Sequence, residues 1–97
     1  MKSILQINSI LEECLPRLKT EYNVSKLGLF GSYVRNEQNQ DSDLDILIDF
    51  SSKPSLFRFI ELEDYLSSLL GVKVDLVMES ALKPRIGQYI QNELIML

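Results

Sequence analysis

The run Asp43 to Phe50 (DLDILIDF) constrains this chain more than any other. Leu44, Ile46, Ile48 and Phe50 fall on one side of a period of two, and Asp43, Asp45, Leu47 and Asp49 fall on the other. That alternation predicts a β-strand with one face in a core. Asp43 and Asp45 stand two apart, so both carboxylates leave the same face of it.

The chain around this strand reads as alternating elements. Upstream, Ser25 to Phe30 is a short apolar strand ended by Gly31-Ser32, and Tyr33 to Glu37 reads as a helical turn or two. Asn36 to Ser42 is a polar connection rich in turn formers. Before this, Ser3 and Gln6 fit a capping box ahead of Ile4, Ile7, Leu11, Cys14 and Leu18, the stripe of an amphipathic helix. Pro16 predicts a kink or restart within it, and the second piece should end near Tyr22-Asn23. Downstream, Ser55 is an N-cap candidate. Leu56 to Leu70 carries a helical stripe, and Gly71 is its stop. Val72 to Met78 alternates again, and Pro84 opens a last helix through Ile86, Tyr89, Ile90 and Leu94. The expected order is α-β-α-β-α-β-α, an α/β (α+β) fold with a small mixed β-sheet flanked by helices. Neither an internal repeat nor a linker rich in Pro, Gly or Ser divides residues 1–97, which read as one domain.

Composition removes several chemistries. The chain has no histidine and a single cysteine, Cys14, so Ser-His and Cys-His nucleophile systems, internal disulfides and Cys-based zinc sites are excluded. The net charge is −4, and the ten Lys and Arg form no cluster, which argues against direct nucleic-acid binding. No apolar run approaches the ~20 residues that span a bilayer. The opening MKSILQINSILEEC lacks the pattern of a secretory signal, so a cytoplasmic location is expected and no membrane partner.

The remaining chemistry is that of carboxylates, hydroxyls, backbone amides and hard cations. Asp75 stands between Val74 and Leu76 in an apolar strand that should be covered by helices, so it is not an obviously solvated charge. If its strand neighbours that of Asp43 and Asp45, three carboxylates share one patch and repel one another. Hard divalent cations relieve such repulsion. Mg²⁺ takes one or two carboxylates together with substrate phosphates. Two such ions roughly 4 Å apart clamp the entering and leaving oxygens of a phosphoryl displacement. Gly31 lets a phosphate approach the main chain, and Ser32, read as the start of a short helix whose N-terminus favours an anion, offers a hydroxyl and free amides. Alone, a Gly-Ser is usually a turn and an Asp-x-Asp usually a polar strand edge. Gly31-Ser32, ten intervening residues, Asp43-x-Asp45 and then Asp75 are together hard to explain by folding needs.

Gly31-Ser32 through Asp43-Leu44-Asp45 resembles the GS-x10-D-x-D signature of the DNA polymerase beta-like nucleotidyltransferase superfamily. FGSYVRNE, SDLDILIDF, VDLV and ALKPRI resemble, more closely, the minimal nucleotidyltransferase family, over nearly the whole chain. The resemblance implies the nucleotidyltransferase fold and the antitoxin role of a HEPN–MNT toxin–antitoxin pair. The implied activity is Mg²⁺-dependent transfer of AMP from ATP to a tyrosine of a HEPN ribonuclease toxin. It implies that Asp43 and Asp45 bind two Mg²⁺ ions and that Asp75 completes the triad and activates the acceptor hydroxyl. Gly31 and Ser32 would hold the phosphates of ATP. The family pattern often has Gly where this chain has Asn36, a departure expected to be minor. Larger relatives carry extra domains for their acceptors, so here the acceptor is expected to arrive with a partner.

Other residues carry weaker readings. Arg35, one turn beyond Ser32, is a nucleotide-binding candidate and equally a solvated residue. Asp49 shares the aspartate face but lies at the far end of the strand, where exposure is the plainer reading. Tyr33 and Tyr89 read as packing rather than an adenine platform, and Lys53, Lys73, Lys83 and Arg85 as single surface cations. The tail Leu94 to Leu97 admits either core or interface. Two rival functions stand beside the antitoxin enzyme. One is an antitoxin that acts by binding alone, and the other is a transferase subunit with a small-molecule acceptor.

Overall fold

Helix α1 (Ile4–Glu21) begins where the sequence places it. Gln6 N donates to Ser3 Oγ at 3.2 Å and Ser3 N to Gln6 Oε1 at 2.9 Å, which closes the capping box. In this computed structural model, which describes residues 2–82 and 93–97, the helix runs on through Pro16 without the expected restart. Ile7, Leu11 and Leu18 are fully buried on either side of the proline, and that packing holds one helix where the ladder lacks an N–H.

Strand β1 (Val24–Phe30) is antiparallel to β2 (Leu44–Phe50). Val24 pairs with Phe50 and Lys26 with Asp49, so Ser25 is an extra residue on β1. This bulge reverses the alternation, and Val24 shares a face with Leu27 and Leu29. Helix α2 (Leu56–Leu70) is capped by Ser55, whose Oγ accepts from Arg58 N at 3.2 Å, and stopped by Gly71 at φ 69°. It leads into β3 (Val74–Met78), which is parallel to β2 with Asp45 opposite Asp75. A short strand β4 (Ile95–Met96) pairs with β1 at Gly28 and Leu29, giving the order β3-β2-β1-β4.

Among the described residues both helices pack on one face of this sheet. Leu29, Leu44, Ile46, Ile48, Val74 and Leu76 meet Ile7 and Leu11 of α1 and Leu62, Leu66 and Leu70 of α2. The opposite face carries a smaller cluster of Phe30 and Leu47 with Val77, Leu82 and Leu94. Helix α2 also closes the outer edge of β3. Val74 N donates to Ser67 Oγ and Leu76 N to Glu63 Oε2, each at 3.0 Å, so two edge amides are not left for another strand.

Two expectations change. Ser32 to Asn36 is a hydrogen-bonded turn rather than a helix, closed by Arg35 N to Gly31 O at 3.1 Å and Glu37 N to Ser32 O at 2.8 Å. Asn36 there takes φ 59°, a left-handed conformation that Asn tolerates and Gly favours. The tail forms β4, which was not expected as a strand, because two residues of pairing leave no periodic signal. The last helix expected from Pro84 lies largely outside the described residues, and its expected member Leu94 instead sits in the segment entering β4.

Candidate active site

The parallel register of β2 and β3 sets Asp45 beside Asp75. Both are the second residue of their strand, and the odd-numbered residues of these strands leave the face opposite to α1 and α2. Asp45 is half-buried there, whereas Asp75 is exposed. The expected cover over Asp75 is therefore absent among the described residues, because both described helices lie on the other side of the sheet. Asp43 stands one residue before β2. Its Oδ2 lies 3.9 Å from Lys73 Nζ, a loose and largely solvated contact.

Gly31 joins the turn to this patch. It follows β1 at φ 84°, a region open to Gly and strained for other residues. A Cβ at Gly31 would collide with the Asp45 carboxylate, whose Cγ would lie 2.9 Å away. Ser32 is half-buried, and no hydrogen bond engages its Oγ among the described residues. Tyr33 is 2% exposed and belongs to the core, as read from sequence. Beside Asp43 opens a cleft of about 590 Å³ lined by Tyr33, Asn39, Ser42, Gly71 and Lys73.

The electrostatics follow from this crowding. Burial, then the charges of Asp75 and Asp43, push the Asp45 carboxyl up to about 6. Arg35 acts against that rise and Glu93 adds to it. Arg35 is 44% exposed and is held by two carboxylates. Its Nε donates to Glu37 Oε2 at 3.1 Å, and its Nη1 donates to Glu93 Oε1 and Oε2 at 3.0 and 2.9 Å.

Glu93 is the site residue that the sequence did not disclose. It lies 62 residues beyond Gly31 in a tail with no motif, yet its Oε1 accepts from Gly31 N at 3.0 Å. The pairing of β4 with β1 carries it there.

The donor set fits a hard cation. It consists of carboxylate oxygens, one of them already disfavoured as an anion by its neighbours. Among the described residues, no group of three such side chains is drawn tightly enough to enclose an ion by itself. Mg²⁺ commonly takes one or two carboxylates and completes its shell from water and phosphate. Asp43 and Asp45, with Asp75 beside them, are the residues that would hold it.

Comparison with known proteins gives the family of the chain. The nucleotidyltransferase domain model matches residues 11–97. The protein adenylyltransferase MntA of Thermococcus cleftensis is 48% identical over 95 residues, spanning 98% of this chain and 96% of that protein. A solved structure of a candidate minimal nucleotidyltransferase superposes with a TM-score of 0.74 at 33% identity, covering 96% of this chain and 90% of the other. A toxin–antitoxin structure with AMP-PNP superposes at 0.68 and 26% identity, covering 93% of this chain and 68% of the other. With the fold, the aspartate pair and the Gly-Ser turn in place, this chain belongs to the nucleotidyltransferase family, in its minimal, MntA-like branch, and is an enzyme of that class.

Proposed function

We propose that this protein is the antitoxin of a HEPN–MNT pair and neutralises its toxin by transferring AMP from ATP to a toxin tyrosine. The carrying observation is the register that sets Asp45 beside Asp75 on the face opposite to α1 and α2, with Gly31 packed against the Asp45 carboxylate. The similarity to a protein adenylyltransferase named MntA, and to a toxin–antitoxin structure that holds an ATP analogue, supports the substrate and the partner.

In this reading Asp43, Asp45 and Asp75 hold two Mg²⁺ ions. When bound, the ions neutralise the phosphates and polarise the reacting oxygens. The Ser32 side chain and Arg35 position the polyphosphate. Asp75, exposed on the open face, orients the incoming tyrosine hydroxyl and takes its proton. The tyrosine oxygen forms a bond to the α-phosphorus as the bond from that phosphorus to the β-phosphate oxygen breaks, and diphosphate leaves. Catalysis of this kind rests on positioning and charge, so it needs no histidine. The reading treats residues 1–97 as one domain working in the cytoplasm, where ATP and the toxin meet.

One observation favours an antitoxin that acts by binding alone. Glu93 already occupies the Gly31 amide, which would leave the turn a poorer phosphate cradle. Incubation of the chain with ATP, Mg²⁺ and the toxin encoded beside it, followed by intact-mass measurement, separates the two. AMP adducts that disappear with Asp43→Asn support transfer. A tight complex without adducts, and neutralisation equal in Asp43→Asn, would sink it.

A further inference from the structure

Glu93 is held at both ends. Its carboxylate takes three hydrogen bonds, one from Gly31 N and two from Arg35 Nη1, and its side chain is 18% exposed against 64% for Glu37, the other carboxylate on Arg35. Its backbone leads directly into Leu94, packed with Phe30 and Leu47, and then into β4, fixed on β1 at Gly28 and Leu29. The result is a strut from the tail to the turn that follows β1. The strut is electrostatically awkward, because it places a further negative charge where Asp45 feels it, on the side where a polyphosphate is to be received. Packing alone does not call for a carboxylate there. What a carboxylate does supply is a fixed seat for a guanidinium. Arg loses side-chain freedom when it is ordered, and a seat made before the ligand arrives removes that loss from binding. Arg35 Nη2 remains unengaged among the described residues, as do the amides of Ser32 and Tyr33.

We infer that Glu93 is a positioning residue for the nucleoside triphosphate: it seats Arg35, and locks the Gly31 turn, so that Arg35 and the Ser32 end of the turn meet the β- and γ-phosphates. The Gly31 amide then serves the strut and not the phosphate. The inference rests on the nucleotide reading above and deepens it.

The test uses the whole chain with Mg²⁺ and measures equilibrium binding of a non-hydrolysable ATP analogue and of AMP. Glu93→Gln keeps the shape and removes the charge. It should weaken the triphosphate at least ten-fold and change AMP by less than two-fold. In an Arg35→Ala background, Glu93→Gln should change triphosphate binding by less than two-fold, because Glu93 acts through Arg35. A strut that only maintains the fold would lower both ligands together and act equally in both backgrounds, which would overturn the inference. So would a Glu93→Gln chain that binds the triphosphate as well as the parent, or better. Far-ultraviolet circular dichroism and the thermal midpoint of each variant identify a general loss of fold, and Glu93→Asp should restore part of the triphosphate affinity in a folded chain. A parent chain that binds no triphosphate overturns the nucleotide reading and this inference with it. A parent that binds while Glu93→Gln matches it overturns this inference alone.

Discussion

The two faces of the sheet have the same strands and opposite characters. On the helix-covered face, Leu44, Ile46 and Ile48 are completely buried against α1 and α2. On the other, the same strands present Asp45, Asp75 and a small cluster around Leu47. One face is built to exclude water, and the other holds carboxylates whose mutual repulsion the fold tolerates. Because a strand alternates, a single register sets both. A slip of one residue between β2 and β3 would part Asp45 from Asp75 and move the buried leucines and isoleucines into solvent. The packed face therefore holds the aspartates in place without touching them.

This contrast can be broken from either side. The largest effect should come from the carboxylate face. Asp45→Asn is expected to reduce nucleotidyl transfer by on the order of 10³-fold, measured as AMP adduct formed on the toxin per unit time. The same change should leave the protein no less stable. The Asp45 carboxyl is raised in the fold to about 6 from the usual 3.8, so its ionisation costs stability that is lost progressively as pH rises from about 4 and fully above about pH 6. Burial and like charges lose that effect as pH falls below the unfolded value. Relative to the parent, Asp45→Asn should thus gain about 1 kcal/mol at pH 7, after allowing for solvent screening, and the gain should vanish near pH 4. Denaturant titrations at both pH values check the sign.

From the packed face, Leu66→Ala should cost about 3 kcal/mol, because a fully buried leucine leaves a cavity that helix and sheet cannot close. Val77→Ala, partly buried in the small cluster, should cost about 1 kcal/mol. Equal losses in chemical denaturation would show that the two faces do not differ as described. Gly31→Ala tests the junction of the faces. Its positive φ and the collision with Asp45 predict a loss of about 1–3 kcal/mol and of transfer activity together. The smallest effect belongs to Asp49→Asn. Asp49 shares the aspartate face but sits at the far end of β2, its Oδ1 accepting from Phe50 N at 3.0 Å, so stability should change by less than about 0.5 kcal/mol. A loss of transfer in Asp49→Asn would move the site along the strand.

Several expectations met their structure for local reasons. The capping box at Ser3 and Gln6, the cap at Ser55 and the stop at Gly71 each depend on atoms within four residues, and each is present. Pro16 misled because a local rule about a missing N–H was overridden by burial of Leu11 and Leu18. Ser32 to Asn36 misled because left-handed Asn36 ends the turn before a helix can propagate.

What the sequence determined by itself was the long helices and strands and the residues able to do chemistry. Periods of two and 3.6, caps and breakers act along a few residues of chain, and the absence of histidine reduces the chemistry to carboxylates and phosphate. What only the tertiary structure decided was partnership: that Asp45 lies opposite Asp75, that the two described helices pack on the other face from Asp75, and that Glu93 comes from the tail to hold Gly31 and Arg35. Those contacts join residues 30 to 62 positions apart. Their energy comes from sheet pairing and burial over the whole fold, and no local pattern records it.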